Sequence, residues 1–379
     1  MSAAGPVKLR SRLAQRLDAE IAAVASMPAR AAVLQVQRAI LWMRHGREAE
    51  ARDELARLHA RALVHPRVEL GAWLHLAEGL MAYFGAFGGD ARDRVRRARV
   101  MAAGSRLTSL QALADAWLAQ VDFVGRDIER LIGHARASLA ALQPDDHAAG
   151  YRVATALASA WSLASGEAAA TPWYAWARQH AIAEGDDAGL AALHYNQTLM
   201  RALRIRHAAL AGEPGEAPAV LLGVESVGRF DDAVGGSARA DLTPLLRAQL
   251  LTVQGDFGEA AGLLEAQLPA AMAAGLARLG GSLMADLAWC WANTGETLRS
   301  RALADQAALE VLAEDQPGCD IDERAALHAR LAQVYAMLHE DGLAARQVEA
   351  AVAARAQDAA QRLDWAERLT EAGLVHPPR

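Results

Sequence analysis

Lysine is almost missing from this chain. Lys8 is the only one, and every other member of its 39 basic residues is arginine. A nucleotide site of the G-x-x-x-x-G-K-[ST] type needs a lysine on the phosphates, and none is on hand. Cysteine is nearly as scarce, with Cys290 and Cys319 alone. Two thiols so far apart in sequence give no C-x-x-C and no zinc-ligand spacing, and they fit a reducing compartment such as the cytoplasm. Aromatic residues make up 5%, and β-branched residues are sparse beside alanine and leucine, which excludes a strand-rich fold. Long apolar runs are absent too. The longest uncharged stretch, 153–166, is too short and too rich in serine and alanine to span a bilayer. The first residues lack an apolar secretory core. No H-E-x-x-H, G-x-S-x-G or G-x-G-x-x-G occurs, so neither an enzyme nor a metal or other cofactor is expected. With a net charge of −6 the chain has no global field for a polyanion, and a direct nucleic-acid partner is not expected either.

What remains is helical periodicity from end to end. Apolar positions at helical spacing predict helices over 7–26, 29–45, 47–63, 67–87, 90–103, 106–124, 126–142, 147–165, 172–184, 187–206, 240–254, 257–273, 277–294, 297–313, 323–339 and 341–369. Glycines and prolines punctuate them, with Asp90, Asp145, Thr171 and Asp186 as helix-start residues. The region 207–241 departs from this pattern, with glycine and proline throughout and room for one short helix over 217–227. It predicts a hinge or linker between helical repeats over 1–206 and a second block over 242–379.

One set of offsets recurs. Ala332, Tyr335, His339, Ala344, Val348 and Ala351 are spaced like Ala248, Leu251, Gly255, Ala260, Leu264 and Gln267. Ala288, Trp291, Gly295, Ser300, Ala304 and Ala307 repeat the spacing, as do Ala39, Trp42, Gly46, Ala51, Leu55 and Leu58. A small residue admits the second helix closely, and a large one fills the gap one turn later. A permissive residue makes the turn, and small residues on the returning helix complete the contact. Such a pair cannot bury its apolar face alone and must stack on its neighbours.

This pattern resembles the tetratricopeptide repeat, strongly in the four copies and weakly over 67–103, 106–142, 147–184 and 187–206. The longer helices are similar to the repeat regions of large LuxR-type regulators, such as the maltose-regulon activator, and of peptide-responsive regulators of Gram-positive bacteria. The resemblance implies an all-α, right-handed superhelical solenoid of antiparallel helix pairs. It also implies a non-enzymatic scaffold that holds a peptide or protein segment in its concave groove. The alternative is an effector-sensing regulator whose output domain is absent or supplied in trans, with a small-molecule inducer in the groove.

First helices line the concave face of such arrays. Counting from the turns, Gln37, Leu246, Asp286 and Arg330 should face inward, with Gln249, Trp289, Asn293 and Gln333 beside them. The helix over 187–206 adds Asn196, Gln197 and Arg201, with His194 close by. An asparagine amide can hold a peptide backbone by donor and acceptor together, arginine reads carboxylates, and Trp289 would fill a pocket. The plainer reading is an ordinary solvated groove. Three other features have a structural and a functional reading. The arginine-rich run 91–100 is a solvated helix face or a phosphate contact. Trp173 and Trp176 are core packing or an aromatic platform. Cys290, between Trp289 and Trp291, is expected to be a buried, inert thiol, and Cys319 an exposed one in an acidic loop.

Overall fold

The computed structural model describes residues 11–86, 90–213, 217–234, 242–273, 277–312 and 320–378. Cys319, parts of the 207–241 segment and the first ten residues lie outside them. The described residues form helices throughout: α1 (Arg12–Ala23), α2 (Pro28–Arg44), α3 (Glu48–Val64), α4 (Val68–Ala86), α5 (Asp90–Gly104), α6 (Thr108–Val124), α7 (Ile128–Ala141), α8 (His147–Ser165) and α9 (Glu167–Glu184). They continue with α10 (Asp187–Leu210), α11 (Ala217–Val234), α12 (Leu242–Gln254), α13 (Phe257–Ala271), α14 (Ala277–Asn293), α15 (Thr297–Leu312), α16 (Ile321–Met337) and α17 (Asp341–Glu371).

The helices pair as α2 with α3, α4 with α5, and so on to α16 with α17. First helices of successive pairs also touch, in the contacts α2–α4, α6–α8, α8–α10, α10–α12, α12–α14 and α14–α16. That stacking is the all-helical solenoid, and it follows from the recurrent offsets. The small positions Ala39, Ala51, Ala248, Ala260, Ala288, Ser300 and Ala304 are fully buried where paired helices meet. The turn position is left-handed in all four copies: φ is 73° at Gly46, 91° at Gly255, 87° at Gly295 and 59° at His339. The next amide then bonds back to the large residue's carbonyl, as in Arg47 N–H to Trp42 O at 2.9 Å and Glu296 N–H to Trp291 O at 2.8 Å. Each turn is therefore a Schellman closure, which is why one residue had to tolerate positive φ.

The same device is hidden at the α6–α7 turn. Arg126 has φ 56°, and Asp127 N–H reaches Asp122 O at 2.9 Å. Ala119, Leu131, Ala135 and Ser138, at the repeat's offsets, are all fully buried. Arginine in the left-handed position conceals this copy from a search for turn glycines. Two expectations change. Helix α9 begins at Glu167 rather than 172, because Gly166 (φ 86°) already reverses the chain. Pro172 then sits in the second turn, where it forgoes the bond to the Ala168 carbonyl. In the predicted linker, α10 runs on to Leu210, and α11 occupies 217–234 and packs on both α10 and α12.

The two ends of the array fold inward. Helix α1 docks on the α9–α10 turn, where Leu13 N–H donates to Gly185 O (3.0 Å) and Arg12 pairs with Asp187 (3.0 Å). Helix α17 crosses to α7 and α8 and sinks Trp365 and Leu369 into their core, with Leu374 following just after the helix end. Trp161 and Trp173 both donate their indole N–H to Leu374 O, at 2.7 and 3.1 Å. Trp173 is thus fully buried core rather than an exposed platform.

Candidate functional site

The inward turn of α17 borders a half-open cavity of about 700 Å³, within the range of ligand pockets. Its walls come from the α6–α7 turn, the end of α8, α9, α10, α12, α14, the start of α16, and α17. Phe123, Leu163, Tyr174, Leu199, Met200 and Leu279 supply apolar surface. Five arginines and six carboxylates also line it, so both signs of charge face one chamber.

Arg126 explains one wall. The left-handed turn projects it across the chamber, where it meets Asp320 at 3.1 Å and Asp322 at 3.0 Å, both at the start of α16. Burial by itself would raise the Asp322 pKa. The Arg126 guanidinium, helped by His207 and Arg362, outweighs this and holds the carboxyl below its ordinary range. His207 is pushed down, chiefly by burial, and its Nε2 has no hydrogen-bond partner among the described residues. At the mouth, Arg201 clasps Glu167, with Arg204 3.6 Å from the same carboxylate. On the α17 side Arg362 pairs with Asp358 at 2.9 Å, and Arg355 donates to Leu210 O at 2.7 Å.

The expected groove residues divide into three groups. Gln197, Arg201 and Gln249 line the cavity. Asn196 is half-buried on α10 outside its lining. Trp289, Asn293 and Gln333 are also half-buried and outside it. Trp289 meets Phe257 edge to face, and the Asn293 amide donates to its own helix at Trp289 O (2.9 Å).

Asp286 and Arg330 do not face an open groove. Asp286 is fully buried, accepting from Arg206 Nε at 2.9 Å and from Arg330 Nε at 2.8 Å. Arg206 continues to Ser282 Oγ (2.6 Å) and Glu323 (3.2 Å), and Arg330 donates to Gln333 at 2.6 Å. Two guanidiniums and two carboxylates neutralise one another, with only Glu323 of the four reaching the cavity lining, and tie α10, α14 and α16 together. The polar residues were visible in the sequence. Their mutual satisfaction was not, because Arg206 lies 80 positions from Asp286. Arg126, Asp320 and Asp322 were missed altogether, although the acidic start of α16 and the hidden repeat offsets carried a signal for both sides.

The remaining features take their structural readings. In the arginine-rich run, Arg92 pairs with Asp122, Arg94 with Glu78, Arg96 with Asp93 and Arg99 with Asp115, which removes most of its field. Cys290 is fully buried beside Thr252, and burial pushes its thiol up to about 11. Among the described residues no three His, Cys, Asp or Glu side chains gather as metal ligands, and no helix is long and apolar enough to cross a membrane.

No protein-family model matches the chain, and no curated protein sequence does. Among solved structures it is similar to a Rap protein complexed with Competence and Sporulation Factor. The TM-score is 0.57 at 9% identity, over 87% of this chain and 99% of that one. Identity that low carries the fold, a tetratricopeptide-like helical solenoid, and nothing finer.

Proposed function

We propose that this protein is a non-enzymatic binding protein that takes a short peptide or protein segment into its central cavity. The observation that carries the reading is the chamber itself, bordered by α17 and lined by arginines, carboxylates and apolar side chains together. A peptide offers matching chemistry: side chains for the apolar surface, amide groups for Gln197 and Gln249, and charged ends or side chains for the ionic walls. The fold neighbour was solved with a factor bound, which supports a ligand-holding role for the architecture.

Asp286 and Arg330 act in this reading as the frame that holds the wall. The clean probes of binding are therefore Gln197 and Gln249, which line the cavity and make no ion pair. The protein is purified from its native host, bound peptides are released by denaturation and sequenced by mass spectrometry, and a synthetic copy is titrated back. Binding to wild type at least tenfold tighter than to the Gln197→Ala/Gln249→Ala double variant is expected. Equal binding, or no peptide recovered, refutes the reading.

A further inference from the structure

A second cavity of about 220 Å³ lies in the N-terminal half, between α1, α2, α4, α6 and α8. Its walls are largely apolar, with Trp73, Leu80, Leu113 and Trp117 among them. Into it points Arg152 of α8, which is only 7% exposed.

Arg152 is an anomaly. It forms no ion pair or hydrogen bond among the described residues, and its buried Nε is without a partner. Its guanidinium carbon lies 3.8 Å from the Trp117 ring centroid and 5.0 Å from that of Tyr151. Contact with an aromatic face offsets part of the burial cost, but it leaves the N–H fork unbound. Arg44 stands over the same Tyr151 ring at 5.9 Å and also has one buried Nη without a partner. Burial, with Arg44 adding to it, holds the Arg152 pKa below its ordinary value.

The nearby carboxylates are engaged elsewhere. Asp186 pairs with Arg44 at 2.8 Å and caps Gly189 N–H at 2.8 Å. Glu184 pairs with Arg16, Asp146 accepts from Gln143 N–H at 2.9 Å, and Asp145 is exposed at the rim. Nor is Tyr151 available, since its hydroxyl donates to Gly189 O at 3.0 Å.

Asp186 acts on Arg152 only at a distance, and a buried cation with no ion pair or hydrogen bond among the described residues, in a largely apolar chamber, calls for an anion from outside. We propose that this cavity is a second binding site, for a small organic monocarboxylate whose carboxylate is forked by Arg152 and whose apolar body lies against Trp73, Leu80 and Leu113. A planar carboxylate matches the guanidinium fork in two parallel hydrogen bonds. The surrounding acids disfavour a dianionic phosphate more than a monoanion.

The test is calorimetric titration of the full chain with benzoate as probe, beside benzamide of the same shape and inorganic phosphate. Saturable one-to-one benzoate binding is expected, at least tenfold tighter than either comparison ligand. Arg152→Met should lose it by at least tenfold while melting no lower than wild type, because an uncompensated buried charge gives way to an apolar chain. No benzoate binding, equal binding of benzamide, tighter binding of phosphate, undiminished binding by Arg152→Met, or a lowered melting point in that variant each overturns the proposal. The central cavity contains none of these residues, so its peptide titration is unaffected by the outcome.

Discussion

Arg126 and Arg106 provide a matched pair for measuring what holds the array closed. Both are non-glycine residues with φ 56°. A left-handed L-residue costs about 1–2 kcal/mol, and glycine relieves this while adding about 0.5–1 kcal/mol of unfolded-chain freedom. At the exposed Arg106, which makes no ion pair among the described residues, Arg106→Gly should therefore stabilise by about 0.5–1 kcal/mol. At Arg126 the same relief is opposed by the loss of the one cationic partner that Asp322 has within ion-pair distance among the described residues, at 3.0 Å, on a carboxylate side chain only 4% exposed. Leaving a buried charge without its partner costs about 3–5 kcal/mol, so Arg126→Gly should destabilise by about 2–4 kcal/mol after the backbone gain. Urea unfolding followed by circular dichroism reads both variants. Hydrogen exchange should also show faster opening at the start of α16 in Arg126→Gly and not in Arg106→Gly. If the two substitutions shift the urea midpoint in the same direction, the bridge from the α6–α7 turn to α16 contributes nothing and the reasoning is wrong.

Asp122 should titrate near 6, since burial pushes its carboxyl up to about 6 from 3.8 despite the nearby Arg92. A raised folded-state value favours the folded protein at low pH, and that contribution is lost as pH rises through 6. Wild type should therefore lose stability relative to Asp122→Asn between pH 4 and 7, and a pH-independent difference between their melting points would contradict this. Gly150 is a steric test of the α8–α9 contact, because an added Cβ would lie 2.6 Å from the His180 ring. Gly150→Ala should cost about 1–3 kcal/mol as an overpacked contact, and Gly150→Ala/His180→Ala should recover most of it; an additive double variant would refute the contact.

The sequence by itself determined most of the helices and four of the turns, because these depend on residues close to one another along the chain, whereas the start of α9 and the extent of α10 and α11 were misplaced. Small residues at fixed offsets dictate close helix approach, and a glycine or tolerant residue marks each left-handed turn. The turn at Arg126 escaped because arginine pays the conformational cost there, and its compensation lies nearly two hundred positions away at Asp322. The same distinction separates the polar residues. Gln197, Arg201 and Gln249 do line the cavity, while Asp286 and Arg330, alike in helical position, are spent on one another and on Arg206. Helical periodicity tells which way a side chain points. Whether a charge there meets solvent, a ligand or an opposite charge depends on which distant helix arrives opposite it. That was decided only when α10, α14 and α16 packed together and α17 closed the array, since a buried ion is tolerated only where its partner is already in place.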